Sequence, residues 1–437
     1  MATVNRPAEL LTHEGGAAKR IGPLAQLERS VMSCLLWEDE FYEGGQAIGE
    51  RLAELVKRVP AADVARVAVR AKVDMRLRHA PLLLARELLR TPEGRKEFGA
   101  VAAAVFTRPD DITEFLALYW KGNPAEPLAK QAKRHVGHAF RRFDAYQLAK
   151  YNGGKKAVKL RDALRITRPK PADAAQAELW RQLARGELAT PDTWEVELSK
   201  GGDKKASWER LLREGKLGGL ATLRNLRNQR EAGVEEELIR EGIGRVQAGK
   251  LLPINFLSAA RHNPQFEAEL EAKFFECFAG KPKLAGATVV LIDVSGSMDA
   301  KLAGRSELTR MDVACSLAIV GRELFDALRV FTFSNELVEV PGRRGFALRD
   351  AVTGSQAHGG TELGKAVRAL PPCDRLIVIT DEQSGDSVPE RSGYLVNVAS
   401  AKNGVGYGKW LHIDGWSDKV FDYVARHEAA RTGEPEA

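Results

Sequence analysis

Residues 287–298, ATVVLIDVSGSM, decide the fold. Val289, Val290, Leu291 and Ile292 form an uninterrupted apolar run, the pattern of a strand buried on both faces of a parallel sheet. The run leads directly into Asp293, Ser295 and Ser297, a carboxylate and two hydroxyls at alternate positions. Alternate positions just past a strand point their oxygens into one pocket, an arrangement suited to a hard cation. Two further oxygen donors follow where such a sheet would bring them: Thr361, after Gly359 and Gly360 and before a helix, and Asp381, at the end of the apolar run LIVIT. Carboxylates, hydroxyls and water suit Mg²⁺, with one coordination position left to accept a carboxylate or phosphate from a partner. A plainer reading has Ser295 and Ser297 capping the next helix and Asp293 closing a turn.

Working outward, LRVFTFS (328–334), DRLIVITDE (374–382), GYLVNVAS (393–400) and KWLHIDGW (409–416) are further short strand-like runs. They are separated by helical stretches such as MDVACSLAIVGRELF (311–325) and ELGKAVRAL (362–370). Strands alternating with helices predict a mostly parallel sheet covered on both faces, with functional loops at the carboxyl ends of its strands. On this pattern Asp293, Ser295, Ser297, Thr361 and Asp381 resemble the metal-ion-dependent adhesion site of von Willebrand factor A domains, which runs DxSxS, then Thr, then Asp.

Upstream the texture differs. From about residue 22 to 280 apolar residues recur at helical spacing, as in Ile48, Leu52, Leu55, Val56 and Val59. Thr91-Pro92 and Thr190-Pro191 read as helix starts, and Gly215, Gly233 and Gly249 as helix ends or turns. Short helices joined by brief loops predict a stack of helix pairs rather than a coiled coil. The expected division is a helical domain over 22–284 and an α/β domain over 285–437. With 437 residues, 44% hydrophobic and 29% charged, the chain is long enough for several cores and unlike a disordered tail or a disulfide scaffold. Its four cysteines form no CxxC pair. No apolar run approaches about eighteen residues and the N-terminus has no signal-like apolar segment, so a soluble cytoplasmic protein without a membrane role is expected.

The net charge of +7 is unevenly spread. Residues 130–170 hold thirteen basic residues: Lys130, Lys133, Arg134, Arg141, Arg142, Lys150, Lys155, Lys156, Lys159, Arg161, Arg165, Arg168 and Lys170. Only Asp144 and Asp162 oppose them, a local +11 that leaves the rest of the chain at −4. The basic residues fall at helical offsets and are interleaved with Phe140, Phe143, Tyr146 and Tyr151, the aromatics reading mainly as core positions. A basic helical face of this strength points to phosphate backbones and exceeds what solubility requires. All of these cations except Lys150 are taken as RNA-binding candidates.

Other motifs carry less. Residues 359–365 match GxxxxGK, but Ala366 stands where a nucleotide P-loop needs Ser or Thr. GVGYG (404–408) lacks dinucleotide spacing and reads as a flexible turn, and Ser295 is not in a GxSxG elbow. His135 and His138 share a helical face, but the surrounding cations oppose metal binding and favour a solvated or RNA-facing role.

A helical-repeat region with a basic middle, followed by an adhesion-site domain, resembles the Ro ribonucleoprotein family and its TROVE module, in a bacterial or phage-type form. LRDALR (160–165) through RPKP (168–171) is similar to the family's RDLLRL…HPKP segment, and TWE (193–195) with LSK (198–200) to its TWE…LS block. Trp208, Leu211, Leu212 and LATLRNLRN (220–228) are similar to its W..LL…LRNLRN signature, and IDVSGSM with HGGT (358–361) to its adhesion-site loops. Leu160 stands where the family has a His associated with Y RNA contact, and SCLLWEDEFYEGG (33–45) is only loosely similar to the family's Gly-rich opening. The resemblance implies a monomeric ring of HEAT-like α-helical repeats closed by a Rossmann-like α/β von Willebrand factor A domain. It further implies a non-enzymatic protein of RNA quality control or decay. Such a protein binds Y RNA and other small structured non-coding RNAs on its basic surface, takes the single-stranded 3′ ends of misfolded RNAs, and associates with an RNA-decay or RNA-repair protein. DNA is not an expected partner. The alternative is a metal-dependent protein-interaction module on a helical scaffold. A nuclease using Asp293 and Asp381 ranks lowest, because the site lacks a general base and a second metal.

Overall fold

The computed structural model describes residues 11, 15–16, 19–20, 22–32, 45–154, 156–302, 307–399, 405–415 and 417–432. Lys155 and most of the 33–45 stretch lie outside them. The chain forms two compact units, Gln46–Gly202 and the combination of Met1–Gly45 with Asp203–Ala437. The texture change near residue 285 therefore marks the first long strand, whereas the compact unit around the sheet reaches back to Asp203.

Gln46–Gly202 is helical. Its helices start where the sequence supplies caps: Thr91 Oγ1 accepts from Gly94 N at 3.1 Å ahead of Pro92–Val105, and Asp173 Oδ1 accepts from Gln176 N at 2.7 Å ahead of Ala174–Arg185. Asp144 and Gln147 form a reciprocal capping box before Ala145–Asn152. The core is aromatic around Phe98, Phe106 and Phe115, all fully buried, with the Phe115 ring 5.9 Å from Phe98 and 5.1 Å from Phe106. Buried Asp111 accepts from Lys72 Nζ at 2.9 Å and from the backbone N–H of Thr107 and Arg108, so its charge is both paired and hydrogen-bonded.

The other unit holds a six-stranded sheet: β1 Leu284–Asp293, β2 Phe325–Phe333, β3 Leu337–Glu339, β4 Arg375–Thr380, β5 Tyr394–Asn397 and β6 Leu411–Asp414. The spatial order is β3-β2-β1-β4-β5-β6, parallel throughout except for the short antiparallel edge strand β3. All five expected strands are present, and this is the doubly wound order whose direction reverses between β1 and β4. The last six residues of β1 and all of β4 are buried, as their continuous apolar runs require. Helices from Lys204–Arg213 to Glu267–Glu276 belong to the same compact unit. The Phe274 ring lies 5.7 Å from Phe346, and Arg261 pairs with Asp312 on the crossover helix Arg310–Leu324. The GVGYG stretch is not simply a turn: Val405–Gly406 pairs antiparallel with Lys19–Arg20.

Truncating Phe115 to Ala removes the ring that packs against both Phe98 and Phe106. The expected cost is about 3–5 kcal/mol of the helical unit's stability. Urea unfolding followed by circular dichroism should show an earlier helical transition; an unchanged midpoint would contradict this core assignment.

Candidate functional site

The basic segment folds into amphipathic helices. In Lys130–Ala139, Ala132, Val136 and Ala139 are buried, while Lys130, Lys133, Arg134 and His138 are exposed. In Leu160–Thr167, Leu160, Ala163, Leu164 and Thr167 are buried, and Arg165 is exposed. Residue 160, a departure from the Ro pattern, thus serves the core. The two helices pack together, with Thr167 and Pro169 against Gly137.

The cations divide into two groups. Arg141 donates to Lys170 O at 2.7 and 3.1 Å, Arg142 to Ala103 O at 2.6 Å, and Arg165 to Ala184 O at 2.8 Å. These guanidinium groups satisfy backbone carbonyls while remaining exposed. Lys130, Lys133, Arg134, Arg168 and Lys170 are exposed and make no side-chain hydrogen bond or ion pair with the described residues. Lys159 is exposed, Arg161 lies 3.8 Å from Asp162, and half-buried Lys156 donates to Tyr151 O at 2.7 Å. Phe140 and Phe143 are core residues as expected, but Tyr146 is 50% exposed. His135 packs against Phe98, with ring centroids 5.9 Å apart, and burial next to Arg134 lowers its pKa; His138 faces solvent.

The second candidate site lies at the switch point of the sheet. Asp293 ends β1, Asp381 follows β4, and both are fully buried. Asp293 Oδ1 accepts from Ser295 N at 2.9 Å, and Asp293 Oδ2 from Thr380 Oγ1 at 2.5 Å. Ser295 does not cap the short helical turn after it; its Oγ lies 3.2 Å from Ser297 Oγ. The loop carrying Thr361 is tied in by Gly296 N donating to Gly359 O at 3.1 Å, and Gly385 N donates to Thr361 O at 3.0 Å. Arg310 Nη1 reaches Asp381 Oδ2 at 3.0 Å and Ser297 O at 3.3 Å. Asp293, Ser295, Ser297 and Asp381 are thus connected directly or through Arg310, and Thr361 lies on the loop that Gly296 and Gly359 tie to them. The donors of these five residues are all oxygen, the chemistry a hard divalent cation takes. Two buried carboxylates against one buried guanidinium leave a single excess negative charge when both are ionised. Burial, together with nearby Asp381, pushes the Asp293 carboxyl up to about 7, despite the hydrogen bonds from Ser295 and Thr380. No cluster of three or more His, Cys, Asp or Glu with metal-ligand geometry occurs among the described residues, so hydroxyls would have to complete this set.

Several partners here are invisible in the linear pattern. Buried Arg310 is one. Glu382 is another, buried at φ 60°, a left-handed conformation that costs a non-glycine residue free energy. It is held by Arg29, by His412 Nδ1, by Asn397 Nδ2 at 2.9 Å and, through its carbonyl, by Tyr407 OH at 2.8 Å. Only the apolar strands flanking these residues could have hinted that their polar groups converge.

Residues 178–280 match the TROVE domain. Telomerase protein component 1 of Mus musculus is 36% identical over 95 residues, 20% of this chain, and that of Rattus norvegicus 33% identical over 111 residues, 24% of this chain. The chain spans about 4% of the length of these relatives. The crystal structure of the Deinococcus radiodurans RO (RSR) protein superimposes with a TM-score of 0.63 and 19% identity, covering 93% of this chain and all of that one.

Two outcomes are expected. Arg142→Ala should cost about 1–2 kcal/mol by freeing the carbonyls of Ala103 and Phe106, whereas Lys133→Ala should stay within about 0.5 kcal/mol; equal Tm values for the two would contradict the division of the cations. An Asp ionises near 4 in an unfolded chain, so with a folded value near 7 the metal-free protein loses stability as pH rises between those values. In scanning calorimetry, Mg²⁺ should therefore raise Tm more at pH 8 than at pH 6, and Asp293→Asn should raise the Tm of the EDTA-treated protein while abolishing the Mg²⁺ response. A Tm indifferent to Mg²⁺ at both pH values would count against the cation site.

Proposed function

We propose that this chain, which carries a TROVE domain and has the architecture of a Ro protein, is a non-enzymatic RNA-binding protein acting in RNA quality control or decay. The observation that carries this reading is the set of exposed cations uncommitted to the fold, Lys130, Lys133 and Arg134 on Lys130–Ala139 and Arg168 and Lys170 just past Leu160–Thr167. Fixed cations spaced along helices neutralise successive phosphates and release counterions, which supplies affinity without reading sequence. Arginine forks that already hold a backbone carbonyl keep further donors for a phosphate. Selectivity then comes from RNA shape and unpaired segments; the proposed ligands, implied by the resemblance to Ro proteins, are small structured non-coding RNAs of Y RNA type and misfolded RNAs with single-stranded 3′ ends.

The all-oxygen site supports a second, separate role for the α/β domain. Asp293, Ser295, Ser297, Thr361 and Asp381 would hold Mg²⁺, which supplies a Lewis-acidic position for an acidic group of a protein partner, such as a component of RNA-decay or RNA-repair machinery. Arg310 holds one oxygen of Asp381 in place, and the hydrogen bonds from Ser295 and Thr380 orient Asp293. These buried residues take no part in RNA affinity. Among the described residues, no helix is long and apolar enough to cross a membrane.

Titrating a structured RNA at increasing salt tests the RNA reading. The log–log slope should be steep and negative, and Lys133→Glu, Arg134→Glu and Arg168→Glu combined should flatten it by about 0.7–0.9 for each phosphate no longer neutralised. Asp293→Ala should leave RNA affinity unchanged. Charge reversals that leave affinity and slope intact would remove the basic face from the binding surface.

A further inference from the structure

The helical unit contains a cleft of about 690 Å³, between residues 149–154 with Lys156 on one side and 186–196 on the other. Its size lies within the range of small-ligand sites, about 300–1,000 Å³. Tyr151 forms part of one wall, half-buried, with the Arg108 guanidinium 4.8 Å and Lys150 Nζ 5.8 Å from its ring centroid. Arg108 is fixed from behind: buried Asp110 accepts from its Nε at 3.0 Å and its Nη2 at 2.8 Å, and also from Arg78 Nη2 at 2.5 Å. The opposite wall is irregular backbone. The N–H groups of Leu188, Ala189 and Thr190 make no hydrogen bond with the described residues. A Cβ added at Gly153 or Gly154 would meet nothing within 4 Å, so the floor is open.

We infer that this cleft takes one unpaired nucleotide of a bound RNA, its base on Tyr151 and Arg108 and its phosphate beside Lys150. This rests on the RNA reading above and specifies where an unpaired base goes. Four cations, Arg78, Arg108, Lys150 and Lys156, face three acids, Asp110, Glu114 and Glu195, which leaves one positive charge for one phosphodiester. A tyrosine ring with a guanidinium held over it is a flat surface on which any base stacks, and free backbone groups opposite can meet the base's polar edge. The path continues outward. Lys150 also lies 5.8 Å from the ring of Tyr146, which is 50% exposed one turn earlier on Ala145–Asn152, so a second base has a platform beside the first.

The test compares one RNA hairpin in two forms, blunt and with a four-nucleotide unpaired 3′ tail, by fluorescence anisotropy. The native protein should bind the tailed form more tightly. Tyr151→Leu should lose about tenfold of affinity for the tailed RNA and stay within twofold for the blunt one, while Tyr151→Phe retains the preference. Ala189→Trp, an exposed position on the other wall, should fill the cleft and remove the preference without relying on the packing of Tyr151. Free UMP at millimolar concentration should erase the preference, and a Glu-rich peptide should not. Equal affinity of the native protein for both hairpins overturns the cleft assignment and leaves the RNA reading standing. The same holds for a preference that survives both variants, or one erased by the peptide alone. Failure to bind either hairpin overturns both.

Discussion

Positive charge that has to stay outside is the constraint from which the helical unit's surface follows. Lys130–Ala139 and Leu160–Thr167 each bury one narrow apolar stripe, and they pack together through Gly137 against Thr167 and Pro169. With both stripes turned inward, their cations are left toward solvent. The two acids of the segment are spent locally: Asp144 caps Gln147, and Asp162 accepts from Lys159 N at 3.3 Å. The repulsion left over is eased where guanidinium groups take backbone carbonyls, as Arg141, Arg142 and Arg165 do. A polyanion would relieve the remainder, which links the segment's charge to its proposed ligand.

The α/β domain manages the opposite charge by burial. Asp293 and Asp381 sit at the carboxyl ends of neighbouring strands, where the doubly wound order leaves a crevice, and Arg310 balances one of them. Such an arrangement costs folding free energy unless it is paired and hydrogen-bonded. Here the hydrogen bonds at the site either donate to a carboxylate or orient a hydroxyl or a loop. The adjoining network of Arg29, Glu382, Asn397, Tyr407 and His412 holds the backbone just past Asp381 in a conformation it would otherwise avoid.

The sheet was legible in the sequence because parallel strands are written as continuous apolar runs, and the same runs place Asp293 and Asp381 at strand ends. The basic segment was legible as charge at helical spacing, but its division of labour was not: whether Arg142 or Lys133 meets a carbonyl depends on the end of Pro92–Val105, nearly forty residues away. Arg310 and Arg29 escaped notice for the same reason, since nothing local distinguishes a surface arginine from one that pairs across the fold. The compact-unit boundary at Gly202 was hidden because helical periodicity reports which face is buried and not which neighbour covers it. Tyr151, grouped with the core aromatics, proved to line a cleft, a distinction set by the loop at 186–196 rather than by its own helix.

The central claim is that residues 130–170 are where this protein meets RNA. Ultraviolet crosslinking of the protein to the RNA that copurifies from its own host, followed by mass spectrometry of the nucleotide-bearing peptides, tests it most directly. The account predicts crosslinked peptides concentrated in residues 130–170, with Tyr146 and Tyr151 among the modified residues. Purification without RNA, or crosslinks confined to residues 285–437, would contradict it.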